Sequence, residues 1–252
     1  KRRIFLKGAP DRLFDLCADV DREHWEKVVD ELSSEGLRVL AAAVRDADGD
    51  EIGDDLGKGF TFLGVVGILD PPRPEAIEAI RLCRQAGIRV KMITGDHAGT
   101  AEAIGRELEL DEEIRSITGS EIEKLSDEEL QEVAQDHNVF ARTSPAQKLR
   151  LVKALQARDE VVAMTGDGVN DAPALRRADV GVAMGIKGTE VTKEAAEVVL
   201  TDDNFSSIEK AVEEGRTIYD NLRKSILFIL PTNGGECLVI ILAIFLGLTL
   251  PL

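Results

Sequence analysis

Short apolar runs alternate with amphipathic stretches between Phe60 and Leu200. The runs at 61–69, 88–93, 139–141, 161–164, 180–184 and 197–200 are bounded by turn residues and predict strands. Between them, residues 74–86, 97–108, 127–135, 145–157 and 172–177 carry apolar side chains at helical spacing. Pro74 at the start of one such segment and Gly87 at its end follow the usual asymmetry of helix termini. This alternation predicts an α/β fold, a parallel sheet with helices on both faces. Residues 1–57 read differently: helices over 11–16 and around 24–35 and a strand over 38–44 precede an acidic, Gly-containing loop at 46–59. That is the pattern of the tail of a separate domain.

The pattern changes again near the end. From Ser225 to Leu252 only Glu236 carries a charge, and 238–248 has no polar side chain. A helix of about 26 residues spans roughly 39 Å, enough for a hydrocarbon core of about 30 Å. Arg223 and Lys224 lie just ahead of it, where positive residues mark a cytoplasmic flank. Pro231, Gly234 and Gly235 interrupt the run, which lipid tolerates when neighbouring helices repair the backbone. The segment predicts a membrane span, so the lipid bilayer is an expected partner. Residues 205–223, with Ile208, Ala211, Val212, Ile218, Tyr219 and Leu222 at helical spacing, predict a helix leading into it.

Composition narrows the partners. The 252 residues allow one or two domains with real cores, and a net charge of −16 argues against nucleic acid. Cys17, Cys83 and Cys237 show no paired spacing, which suits a reducing compartment and thiols used as packing groups. The chain opens on Lys1 and stops within an apolar stretch, so the expectation is a piece of a longer polypeptide.

The candidate chemistry sits at strand ends. Thr165-Gly166-Asp167-Gly168-Val169-Asn170-Asp171-Ala172-Pro173 follows an apolar run and opens a helix. It places two carboxylates and an amide at the sheet edge where α/β folds bind ligands. Asp167 and Asp171, four apart, suit one hard cation such as Mg²⁺. Thr94-Gly95-Asp96 repeats the arrangement of strand, Gly turn and helix, and offers a hydroxyl and backbone N–H groups to a phosphoryl oxygen. Lys148, on the helix opened by Ser144-Pro145, can balance phosphoryl charge. Taken singly, Thr94 reads as a helix cap and Lys148 as a surface lysine. Together they point to phosphoryl transfer.

On these residues the chain resembles the P-type cation-transporting ATPases, whose phosphorylation domain has a haloacid-dehalogenase-like fold. The resemblance covers essentially the whole chain. Lys7-Gly8-Ala9-Pro10 is similar to that family's nucleotide-domain motif, and Asp70-Pro71-Pro72-Arg73 to its hinge. Thr94–Asp96, the segment from Val139 to Lys148 and Thr165–Pro173 match its three phosphorylation-domain motifs. The resemblance implies a Rossmannoid parallel sheet lacking its first strand, a partial α+β nucleotide-binding domain and a C-terminal transmembrane helix. It implies domains at 1–57 (end of the nucleotide domain), 58–73 (hinge), 74–204 (phosphorylation), 205–224 (stalk) and 225–252 (span).

The same resemblance implies roles. Lys7 and Gly8 would belong to the adenine pocket, Arg38 would contact ATP phosphates and Arg142 would approach the nucleotide. Thr94 and Gly95 would bind the transferred phosphoryl group, with Asp96 organising the site and Lys148 balancing its charge. Asp167 would coordinate Mg²⁺, with Asn170 and Asp171 holding the loop and phosphate contacts. The family's nucleophile is the Asp of a DKTGT motif, which these 252 residues do not contain. It is expected upstream, so this piece alone is expected not to turn over ATP. In the span, Asn233 and Glu236 match the calcium pumps' cation ligands, and two oxygen-bearing side chains three apart share a helix face. Ca²⁺ is therefore the favoured cargo, with residues 1–224 on the cytoplasmic side and the rest of the pump polypeptide as partner. A soluble phosphatase of the same fold and a catalytically dead regulatory homologue are the alternatives.

Overall fold

The computed structural model describes residues 2–46, 57–68 and 71–247. Asp70 of the hinge motif, Leu69, residues 47–56 of the acidic loop and residues 248–252 lie outside the described residues. The chain divides into two units, Lys1–Asn204 and Phe205–Leu252.

The first unit opens with an antiparallel sheet. Strand β1 (Arg3–Gly8) leads to helices α1 (Pro10–Phe14) and α2 (Arg22–Ser34), then to β2 (Arg38–Asp46) and β3 (Thr61–Ile68), in the order β1-β2-β3. Period-two alternation turns Ile4 and Leu6 inward with Ala41 and Ala43, against Leu13 and Phe60. Phe62 adds ring contacts with Phe14 and Trp25, at centroid distances of 5.5 and 5.0 Å. The Asp21 carboxylate caps α2 by accepting from the His24 amide at 3.2 Å. Residues 61–68, read from sequence as a strand of the parallel sheet, instead pair antiparallel with β2. Phe62 and Val65 complete the apolar face begun by Leu6, Ala41 and Ala43. Periodicity identifies such a strand but not its neighbour.

The remainder of this unit alternates: α3 (Pro74–Gln85), β4 (Met92–Ile93), α4 (Ala98–Glu107), β5 (Ser116–Thr118), α5 (Gly119–Ile122), α6 (Asp127–Asp136), β6 (Val139–Ala141), α7 (Pro145–Gln156), β7 (Ala163–Gly166), a 3₁₀ turn (Val169–Asp171), α8 (Ala172–Arg177), β8 (Val180–Met184), α9 (Glu190–Ala195) and β9 (Val198–Leu200). The parallel strands form two three-stranded sheets, β4-β6-β5 and β7-β8-β9. Helices cover both faces of the first. Phe140 packs with Leu130 and Leu151 of α6 and α7. On the opposite face Gly105 of α4 comes so close that a Cβ there would stand 3.0 Å from Val139. Ile93 packs against both this cluster and the one around Met164 and Leu175, while Leu151 and Val152 of α7 belong one to each. Among the described residues, strands β4 and β7 each have a single hydrogen-bonded neighbour.

Two strands are displaced from expectation. Val161 is 84% exposed, and the ladder starts two residues later and runs into the Gly turn. The run at 88–93 yields only Met92–Ile93, paired with Val139–Phe140, while the Lys91 side chain turns toward α6. Its ammonium donates to the carbonyls of Gln135 (3.0 Å) and His137 (2.6 Å) and so caps the end of α6. Burial lowers the Lys91 pKa from 10.5 to about 8. The unfolded chain therefore binds the extra proton between about pH 8 and 10.5, and this group's contribution to stability rises across that window. Lys91→Met is expected to flatten the pH profile of urea midpoints there. An unchanged slope would count against the buried ammonium.

The second unit is one helix, α10 (Phe205–Leu246), 42 residues or about 63 Å long. It is long and apolar enough to cross a membrane, with a mean hydropathy of 1.9 over its most apolar window. Pro231 lies inside it. Next to that proline, the Thr232 hydroxyl donates to the Phe228 carbonyl at 2.9 Å, adding a bond in the turn where proline removes one.

Candidate active site

The site is built at the ends of β4 and β7. Beyond Ile93, the Thr94 hydroxyl donates to Asp96 Oδ2 at 3.0 Å and accepts from the Asp96 amide at 3.0 Å, closing a tight turn. The Thr94 carbonyl accepts from the Thr143 amide (3.1 Å) and hydroxyl (3.2 Å). Thr143 precedes Ser144, whose capping box with Gln147 starts α7. The first turns of α7 are thereby pinned to the end of β4.

From there Lys148 donates to Asp171 Oδ1 at 2.7 Å, with side chains only 18% and 9% exposed. Asp171 Oδ2 accepts from the amides of Gly168 (3.1 Å) and Asp167 (3.3 Å). The carboxylate is thus fully engaged, as a charge held out of water requires. Gly166 is needed for this approach: a Cβ there would stand 2.5 Å from the Asp171 Cβ. Asp171, expected from spacing to share a cation with Asp167, has both oxygens bonded to Lys148 and to the loop amides. The Asp167 side chain is exposed, and among the described residues no protein group bonds to its carboxylate. Among the described residues no group of three or more His, Cys, Asp or Glu side chains is placed to hold a metal ion. The donor chemistry suits Mg²⁺, which is often held by one or two carboxylates together with substrate phosphate oxygens.

The antiparallel sheet reaches the same place. Arg38 Nε lies 3.6 Å from Asp96 Oδ1, and the Arg142 amide donates to the Asp96 carbonyl at 3.2 Å. Arg142, with φ +50°, donates from Nη1 to Asp11 Oδ2 at 2.8 Å. Gly95 and Asn170 are exposed at the two turns. Lys7 is exposed on β1, while Gly8 packs against Leu13, where a Cβ would stand 3.0 Å from Cδ1. No bond joins Lys7 or Gly8 to the two turns among the described residues. In the second unit, Asn233 and Glu236 are exposed on α10, three residues apart.

Sequence reasoning missed Thr143, Thr189 and Thr192. The last two close on the Asp167 carbonyl, from Thr189 N at 3.0 Å and Thr192 Oγ1 at 3.2 Å. Thr143, beside the Ser-Pro cap, and Thr189, a capping residue ahead of Glu190, carried detectable signals. Thr192 carried none.

A family model described as haloacid dehalogenase-like hydrolase matches residues 3–179. The chain belongs to the haloacid dehalogenase-like hydrolases. Relatives of this haloacid dehalogenase-like chain are similar along its whole length. A cation-transporting ATPase, pma1, of Synechocystis sp. is 49% identical over 100% of the chain, and a calcium-transporting ATPase 1 of Bacillus cereus is 50% identical over 98%. A calcium-transporting ATPase of Bacillus subtilis is 47% identical over 100% of the chain. The chain spans about 29–30% of the length of these curated relatives.

Proposed function

We propose that this chain is the phosphorylation-site section of an ATP-driven P-type pump that moves a cation, Ca²⁺ by preference, across a membrane. The observation that carries the reading is the chain of bonds from Thr94 through Thr143 to the start of α7, whose Lys148 pairs with Asp171 at the Asp167 loop, in a chain half identical to a cation-transporting ATPase. Thr94 and Gly95 receive the transferred phosphoryl group, Asp96 fixes their turn and Lys148 balances charge. Asp171 holds Lys148 and the 167–168 amides in place, with Asn170 beside them. Asp167 would hold Mg²⁺, which when bound would supply positive charge toward the phosphoryl oxygens. Arg38 serves the nucleotide phosphates and Arg142 approaches the nucleotide, while Lys7 with Gly8 serves the adenine.

The nucleophile comes from a DKTGT segment outside these 252 residues. Its strand enters between β4 and β7, each of which has one free edge bordering the clusters shared by Ile93. The incoming Asp carboxylate attacks the γ-phosphorus, the bond to the ADP oxygen breaks and an aspartyl phosphate forms. The 252-residue chain alone therefore hydrolyses no ATP.

Helix α10 crosses the bilayer with residues 1–224 on the cytoplasmic side, and Asn233 and Glu236 offer oxygens to the transported ion. Radiolabelled calcium uptake should test this, using vesicles that hold the polypeptide continued to the length of its relatives. ATP-dependent uptake should be present in the parent and lost in Glu236→Gln. Uptake indifferent to that change, or driven only with another cation, would overturn the calcium assignment.

A further inference from the structure

Asp167 sits between two glycines, Gly166 and Gly168, so its backbone needs holding from outside the turn. The Asp171 carboxylate holds one side through the 167 and 168 amides. The other side is held by a device on α9, and the geometry points to Thr192 as a positioning residue for the Asp167 carboxylate. The inference rests on the proposed reading of Asp167 as a metal ligand.

Thr192 is completely buried, at 0% exposure, on a six-residue helix. Its hydroxyl lies 2.5 Å from Thr189 Oγ1, 2.9 Å from the Thr189 carbonyl and 3.2 Å from the Asp167 carbonyl. A hydroxyl has one proton to give, so the network has a consistent direction. The Thr192 amide donates to Thr189 Oγ1 (3.3 Å), and that hydroxyl donates to Thr192 Oγ1. The Thr192 proton is then shared between the Thr189 carbonyl at 2.9 Å and the Asp167 carbonyl at 3.2 Å, the latter also accepting from the Thr189 amide.

The brace is itself anchored. The Asp203 carboxylate accepts from the amides of Ile186 (3.0 Å) and Lys187 (2.8 Å), fixing the turn from which α9 starts. The peptide groups on both sides of the Asp167 Cα are thus tied to buried or anchored partners, while its carboxylate points to solvent. A six-coordinate Mg²⁺ demands near-ideal ligand placement, and ligand orientation is set by outer-layer hydrogen bonds.

The test uses the 252-residue chain, Mn²⁺ as a paramagnetic probe with inorganic phosphate, and amide hydrogen exchange. Thr192→Val keeps the shape and removes the hydroxyl, and Thr192→Ser restores it. Thr192→Val should weaken Mn²⁺ binding roughly tenfold and speed exchange at Gly168, with Thr192→Ser close to wild type. Equal Mn²⁺ affinity in Thr192→Val and wild type would overturn the inference. If wild type itself binds no Mn²⁺, the metal reading of Asp167 falls, and exchange decides the brace. Unchanged Gly168 protection in a folded Thr192→Val chain would then overturn it as well.

Discussion

Asp171→Ala is expected to cost the fold about 3 kcal/mol, read as a large drop in the urea midpoint. The cost comes from what the substitution leaves behind. Lys148 would keep a charge in a largely buried position with its 2.7 Å partner gone. The amides of Asp167 and Gly168 would lose their acceptor in the same step. Breaking one half of a buried pair is more damaging than removing both halves. The double variant Lys148→Met/Asp171→Leu should therefore recover part of the loss, though the two amides stay unpaired. A single-variant cost below about 1 kcal/mol would mean that the pair behaves like an exposed salt bridge.

Gly188→Ala should be similarly severe. A Cβ at Gly188 would stand 1.9 Å from the Met184 carbonyl oxygen, a contact that forces backbone to move. The surrounding turn resists, because Asp203 holds the amides of Ile186 and Lys187. Strain of this kind costs about 3 kcal/mol and should displace α9 together with Thr189 and Thr192. The same change at Gly95 gives the contrast. No atom lies within 4 Å of a Cβ there, and its φ is not in the left-handed region. Gly95→Ala should leave thermal stability unchanged or raise it slightly, since it restricts the unfolded chain. Equal melting shifts for the two variants would refute this packing account.

Much of this arrangement was legible in the residues. Helix α8 and strand β8 fall on their expected bounds, because Asp-Ala-Pro opens one and an apolar run between turns defines the other. Helices α3 and α7 end within a residue of expectation, each started by a proline. Strand β1 was missed because Phe5, 70% exposed, breaks the alternation of Ile4 and Leu6. Strand β5 offers a single apolar residue, and α9, unlike α8, has no proline at its start. The partnership of β3 with β2 depends on side chains far apart in sequence.

The site divides along the same line. Motif spacing brought out Thr94, Lys148, Asp167 and Asp171 as a group. The commitment of Asp171 to Lys148 is a matter of side-chain direction, which spacing does not carry. Thr192 acts through a hydroxyl on a helix that the pattern did not reveal, so only the folded chain exposes it.

The central claim is that this chain supplies all of a phosphoryl-transfer site except its nucleophile. Acid-stable, hydroxylamine-labile label from γ-labelled ATP tests it most directly, comparing the 252-residue chain with a polypeptide continued to the length of its relatives. The account predicts label in the longer polypeptide, its loss in Lys148→Ala, and none in the 252-residue chain. Label on the shorter chain, or no label on the longer one under any cation, would contradict it.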